Sequence, residues 1–225
     1  METVRLSFSA PFRLVHEYRT TRRNYVRPVA LDDFDLVHGV ETSRRIDQSD
    51  LRVRSPNWIN AAGYWPTRPE IFAESLFALE IAHEDFVFID FGSGKGRVLF
   101  LASEFPFQRI IGLEFSSELH SAALANLELY RSSTQRCRNI TSLCVDFTTF
   151  RLPPLPLVLY FYNPASLDVM ATVAANIAHS LRENERRVFV VYITPAYDVF
   201  ENGKPLALHK IASSGEKFAV YSNVA

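Results

Sequence analysis

Three carboxylates close three successive apolar runs in this chain of 225 residues. Asp90 follows Phe86-Val87-Phe88-Ile89, Glu114 ends the run that starts at Arg109, and Asp146 follows Ile140 to Val145. The stretch that begins at Asp90 reads Asp90-Phe91-Gly92-Ser93-Gly94-Lys95-Gly96-Arg97. Its three glycines, at alternate positions, let the backbone turn sharply and approach a ligand closely. A phosphate-binding loop needs GxxxxGK followed by Ser or Thr, but Gly96 follows Lys95. A dinucleotide fingerprint needs GxGxxG, but position 97 is Arg. What remains is an acid followed by GxGxG. The competing reading is a glycine-rich turn that serves only helix–strand packing.

Glu114 stands 18 residues after Gly96. A carboxylate there can accept both hydroxyls of a ribose, as the acid of the dinucleotide fold does. Its alternative role is a charge at a helix N-terminus, which Glu118 would fill equally well. Asp146 is suited to an adenine amino group, with Phe147 covering the ring face; the alternative is a turn Asp beside a core Phe. A fourth apolar run ends in Tyr160-Phe161-Tyr162-Asn163-Pro164-Ala165. Asn163 can orient an amine through its carboxamide, and Pro164 fixes the turn after it.

These groups need a scaffold that delivers them to one edge. Continuous apolar runs read as parallel strands buried on both faces. The runs are 86–89, Arg109 to Glu114, Ile140 to Val145, Leu157 to Tyr162 and Arg187 to Ile193. Helical spacing lies between them. Thr67-Arg68-Pro69-Glu70 reads as a capping box opening a helix over 68–82, with Phe72, Leu76 and Leu79 on one face. Val98 to Ala102 opens a buried helix. Ser116 caps a helix that buries Leu119, Ala123, Leu127 and Tyr130, and Ser166 caps one that buries Met170, Val173, Ile177 and Leu181. Leu206 to Ala212 and Lys217 to Ser222 read as a closing antiparallel pair. The expected fold is α/β: a Rossmann-like, doubly wound, mostly parallel seven-stranded sheet with an antiparallel last strand, plus an N-terminal extension. The expected boundaries are an extension or cap over 1–60 and one domain over 61–225.

Composition narrows the partners. The net charge of −1 gives the whole chain no electrostatic commitment to nucleic acid or to an anionic membrane. Residues 1–30 differ, with six arginines against two acids, or 6 − 2 = +4. Such an arm is either a solvated extension packed over the core or a contact for RNA, an acidic protein or lipid headgroups. Cys137 and Cys144 form no disulfide framework and no metal spacing, which suits a reducing compartment, and the cytoplasm is the expected location. The six histidines contain no HxxxH pair, so no metal is expected. No apolar run approaches the roughly 18 residues of a membrane span. Gly39-Val40-Glu41-Thr42-Ser43 stands out as a possible functional element with no chemistry yet attached.

The chain resembles class I S-adenosylmethionine-dependent methyltransferases. Four blocks carry the resemblance: Tyr64-Trp65-Pro66-Thr67, Phe88 to Arg97, Ile111-Gly112-Leu113-Glu114, and Tyr160 to Pro164. It spans roughly residues 60–195. More narrowly it is similar to small bacterial methyltransferases of largely unassigned substrate and, distantly, to the non-SET protein-lysine methyltransferases. The resemblance implies S-adenosyl-L-methionine as cofactor, whose ammonium, sulfonium and ribose suit carboxylates and close backbone. It implies cofactor contacts at Tyr64, Thr67, Asp90, Gly92, Ser93, Gly94, Gly96, Glu114, Asp146 and Phe147. In the lysine enzymes the segment matching Tyr64 and Thr67 lies over the methionine part of the cofactor. It implies acceptor chemistry at Asn163 and Tyr162, with Tyr160, Phe161 and Tyr162 as pocket walls. Asn163-Pro164 partly matches the (D/N)PP(Y/F/W) motif of amino-methylating enzymes, but Ala165 and Ser166 depart from it. The stacking platform for a flipped base is therefore missing. The expected activity is N-methylation of an amine such as a protein lysine. The alternatives are a small-molecule methyltransferase with residues 1–60 as lid, an RNA methyltransferase guided by the basic arm, and a non-catalytic cofactor-binding scaffold.

Overall fold

Alternation along each strand sends side chains to two opposite faces, and the computed structural model shows both faces filled. It describes residues 31–47, 63–200, 208–214 and 217–224. The elements are α1 (Asp33–His38), α2 (Pro69–Phe77), β1 (Val87–Phe91), α3 (Arg97–Ser103), β2 (Arg109–Glu114), α4 (Ser117–Leu129), β3 (Ile140–Cys144), β4 (Leu157–Tyr162), α5 (Leu167–Glu183), β5 (Val188–Ile193), β6 (His209–Ser213) and β7 (Phe218–Ser222). Val87, Ile89 and Phe91 of β1 pack with Met170, Val173 and Ile177 of α5. Phe88, on the other face, packs with Phe72 and Leu76 of α2 and Leu99 of α3.

The strands form one sheet in the order β3-β2-β1-β4-β5-β7-β6. β1 to β5 are mutually parallel, and β7 runs antiparallel between β5 and β6. This is the expected Rossmann-like arrangement, with the last strand reversed. The chain winds outward from β1 through β2 to β3, then returns to build β4 and β5 on the other side. The order therefore reverses between β1 and β4, and the crevice beyond the carboxyl ends of those strands is where such sheets bind ligands.

Several local expectations change. The helix expected over 68–82 ends at Phe77, and Glu80, at φ 49°, turns the chain away. Thr67 is not its cap: Arg68 occupies that position without a side-chain capping bond, while Thr67 is buried one residue earlier. Ser166 precedes α5 but makes no capping bond either, whereas Ser116 does accept from the Leu119 N–H. Leu206, the expected start of the penultimate strand, lies outside the described residues.

Candidate active site

The carboxyl end of β1 runs straight into the glycine turn. Gly92 and Ser93 donate their N–H groups to Leu113 O of β2, and Gly96 donates to Ser93 O, which coils the turn into the start of α3. The turn is shaped by what leans on it. Gly94 has φ 54°, and a Cβ there would overlap ring carbons of Tyr64. A Cβ on Gly92 would stand 3.1 Å from Pro164 Cβ, so the turn after β4 presses on the turn after β1. Both contacts lie in the wall of a cavity of about 320 Å³. That volume lies at the small end of the usual range for small-molecule sites.

The cavity gathers most of the residues singled out from sequence. Tyr64, Thr67, Asp90, Gly92, Ser93, Gly94, Glu114, Phe147, Tyr162 and Asn163 all line it. Gly96 and Asp146 do not. Gly96 is the cap of α3, packed near Ala123 and Phe100. Asp146 Oδ1 accepts from the Thr148 N–H at 2.9 Å and the Thr148 hydroxyl at 2.7 Å, capping a short turn after β3. Tyr160 and Phe161, expected as pocket walls, are fully buried in the two cores, because consecutive strand residues face opposite sides. Only Tyr162 of the three lines the cavity.

Burial shifts both acids of the site. Asp90 is buried, and its Oδ2 has no hydrogen-bond partner among the described residues. Burial pushes its carboxyl well above the usual range, and the nearby Glu114 pushes it further. Glu114 is equally buried, but both of its oxygens are engaged: Oε2 accepts from the Gly94 N–H and Oε1 from the Ser116 N–H, each at 2.8 Å. Burial raises it to about 7, opposed by those backbone donors. An unpaired buried carboxylate is costly unless a ligand supplies the donor or the cation.

The two cations of the glycine turn do not supply it. Lys95 is buried and donates to both Glu41 oxygens at 3.0 Å and to Arg44 O at 3.1 Å. Arg97 donates from Nε to Thr42 Oγ1 at 2.7 Å and from Nη2 to Asp32 Oδ1 at 2.7 Å, and lies 3.3 Å from Asp35 Oδ1. Both cations are thus held by the segment 32–46, which joins the site through an antiparallel bridge between Ile46 and Tyr64. Glu41 and Thr42 give the unexplained Gly39–Ser43 element its chemistry.

The opposite wall is strained. Asn163, after β4, has φ 45°, and Thr194, after β5, has φ 47°. Asn tolerates the left-handed region, but a β-branched Thr there is an outlier of the kind that collects at functional sites. The Tyr192 hydroxyl donates to Asn163 Oδ1 at 3.2 Å, which leaves the Asn163 Nδ2 as the free donor of the carboxamide. Thr194 also lines the cavity. Sequence reasoning missed it, although Thr194-Pro195 directly after an apolar run marks the end of a strand. A Cβ on Gly112 would meet Ser93 and Leu99 within 2.8 Å, so this glycine makes room for the glycine turn. Among the described residues there is no His/Cys/Asp/Glu group able to hold a metal, and no helix long and apolar enough to cross a membrane.

No protein-family model matches the chain, and no curated protein matches it. Solved structures do. An RNA methyltransferase from Salinibacter ruber, in complex with S-adenosyl-L-homocysteine, is 18% identical with a TM-score of 0.46, over 70% of this chain and 91% of that one. The N-methyltransferase NodS from Bradyrhizobium japonicum is 12% identical with a TM-score of 0.46, over 68% and 94%. Magnesium protoporphyrin IX methyltransferase from Synechocystis, with bound S-adenosylmethionine, is 11% identical with a TM-score of 0.41, over 68% and 76%. At such identities and scores, what those proteins bind and methylate stays with them.

Proposed function

We propose that this protein is an S-adenosylmethionine-dependent methyltransferase acting on an amine such as a protein lysine. One observation carries the reading. At the switch point of the sheet, Asp90 Oδ2 is buried without a partner among the described residues, while the nearby Lys95 and Arg97 are engaged by acids of the segment 32–46. Arg97 lines the cavity, but its guanidinium is engaged by Thr42, Asp32 and Asp35, so the turn offers no free cation to a phosphate. A nucleoside carrying an ammonium group fits the site. Asp90 accepts that ammonium, Glu114 takes the ribose hydroxyls, and Tyr64, Gly92, Ser93 and Gly94 supply close walls. Thr67, Gly96, Asp146 and Phe147 are kept as further cofactor residues on the resemblance, Gly96 and Asp146 as parts of the surrounding turns. When bound, the cofactor supplies a methyl group on a sulfonium, open to in-line displacement by a neutral nitrogen.

The chain's own residues then do the positioning, which is where most of the rate must come from with so good a leaving group. Asn163 and Tyr162 hold the acceptor at the mouth of the methyl site. An amine must shed its proton before it attacks, and desolvation against Tyr162 and Pro164 favours the neutral form. Residues 61–225 form the catalytic domain in this reading, and 1–60 its extension. A small-molecule acceptor is the second reading. It is favoured by the attachment of segment 32–46 directly beside the cavity, as a cover would be attached.

Tritium-labelled S-adenosylmethionine, incubated with purified protein and fractionated cell extract, tests the activity. The expected product is a label that survives mild base, as an N-methyl group does, and that is absent with Asp90→Ala. With the labelled fraction in hand, Asn163→Ala should cut turnover by about 100-fold, the scale of one lost orienting group. Base-labile label would mean an ester and end the amine assignment. Unchanged turnover in the Asn163 variant would end that residue's role.

A further inference from the structure

Thr42 is fully buried 55 residues before the arginine it holds. Its Oγ1 donates to Asp35 Oδ1 at 2.6 Å and accepts from Arg97 Nε at 2.7 Å. Its N–H donates to Asp35 Oδ2 at 2.7 Å, and its carbonyl accepts the Tyr64 hydroxyl at 2.7 Å. Thr42 thus joins the cation that follows the glycine turn to the aromatic ring that lies on that turn. Asn126 adds a second fastening: it accepts from the Glu41 N–H and donates to both Glu41 O and Lys95 O. The ring of Tyr64 is fixed from three directions: the backbone bridge to Ile46, the hydroxyl bond to Thr42, and the face against Gly94.

We infer that the segment 32–46 buttresses the ligand site from outside the cavity, and that Thr42, through its bonds to Arg97 and Tyr64, is a positioning residue that sets Tyr64 against the glycine turn. The inference rests on the proposed cofactor. Its physical content is preorganisation. The Gly94 backbone has no side chain to define the cavity wall, so the wall is borrowed from Tyr64. Tyr64 stands where it does because Thr42 is locked between Asp35 and Arg97. A ligand seated beneath Tyr64 binds the fastened state of the segment and is lost when the segment lifts, so binding and fastening stabilise each other.

Calorimetric titration with S-adenosylhomocysteine tests this in the wild-type protein and in Thr42→Val, Thr42→Ser and Tyr64→Phe. Trypsin cleavage after Arg44 and Arg45, both exposed, is followed alongside. Thr42→Val is expected to weaken binding about tenfold, an interaction loss typical of a buried hydrogen-bonded joint. Thr42→Ser, which keeps the hydroxyl, should restore it. Tyr64→Phe, which removes only the bond to Thr42 O, should fall between them. The ligand should slow cleavage in wild type and not in Thr42→Val. A purely structural Thr42 would lower the melting temperature of Thr42→Val but leave its affinity for the ligand unchanged while folded. Equal affinities in all four proteins, with ligand-independent cleavage, would overturn the inference and leave the proposed function standing. Wild-type protein that binds no ligand would overturn both.

Discussion

Around the glycine turn, Lys95 and Arg97 are fully clasped, and both oxygens of Glu114 accept backbone N–H groups. Across the cavity, Asn163 and Thr194 both have left-handed backbone, strained at the β-branched Thr194, and one side-chain hydrogen bond, Tyr192 to Asn163, ties Asn163 to β5. The first wall is over-determined except at Asp90, and the proposed function assigns it to the cofactor. The second stores strain at Thr194, and the proposed function assigns it to the methyl acceptor. The contrast separates two kinds of legibility: chemistry fixed by the fold, and chemistry that the fold leaves adjustable.

The contrast breaks most easily at Arg97. Arg97→Ala removes the guanidinium from a fully buried Asp35. The expected cost is about 3 kcal/mol or more, since breaking a buried pair leaves an uncompensated charge. Denaturant midpoints check it, and a loss below about 1 kcal/mol would mean that the clasp is only a surface contact.

The next effect is a pH dependence confined to the first wall. Glu114 is raised from 4.5 to about 7 in the folded protein. A carboxyl with a raised folded value keeps its proton longer when folded than when unfolded. Its stabilising share is therefore whole below about 4.5 and is lost as pH climbs to about 7. The shift is equivalent to about 3 kcal/mol. Ligand-free protein should lose stability over that window, and Glu114→Gln should flatten the curve. A wild-type curve that rises from pH 5 to 7 in parallel with that of the variant would contradict the assignment.

Gly94→Ala comes third. A Cβ at φ 54° collides with Tyr64, and the combined strain and overpacking should cost about 2 kcal/mol. Tyr64→Ala should recover part of it if the ring is the obstacle. The smallest effect belongs to the second wall. Thr194→Asn relieves a left-handed β-branched residue and should stabilise the fold by up to about 1 kcal/mol while lowering methyl transfer. A destabilised variant would show that Thr194 is held by packing rather than strained for function.

Much of the first wall was legible because its signals are local. Asp90, the alternating glycines and Glu114 lie at strand ends that apolar runs mark plainly, and the sheet order follows from alternating strands and helices. The clasp was not legible. Arg97 meets Asp32, Asp35 and Thr42 across more than 50 residues of sequence, and no periodicity announces such a pairing. The Gly39–Ser43 element stood out as unusual but acquired a reason only when Lys95 and Arg97 were seen against it. Thr67 misled because a helix start and a cavity wall use the same residue type. The aromatic run Tyr160-Phe161-Tyr162 misled for a simpler reason: a strand alternates, so three consecutive aromatics cannot share one pocket.

The cations of the glycine turn are spent internally, and the proposed function leaves Asp90 to select a ligand that brings positive charge. Parallel calorimetric titrations of the same protein with S-adenosylhomocysteine and with ATP test it most directly. The account predicts micromolar binding of S-adenosylhomocysteine, lost in Asp90→Ala, and no measurable binding of ATP. Tighter binding of ATP, undisturbed by Asp90→Ala, would make the turn a phosphate cradle and contradict the account at its root.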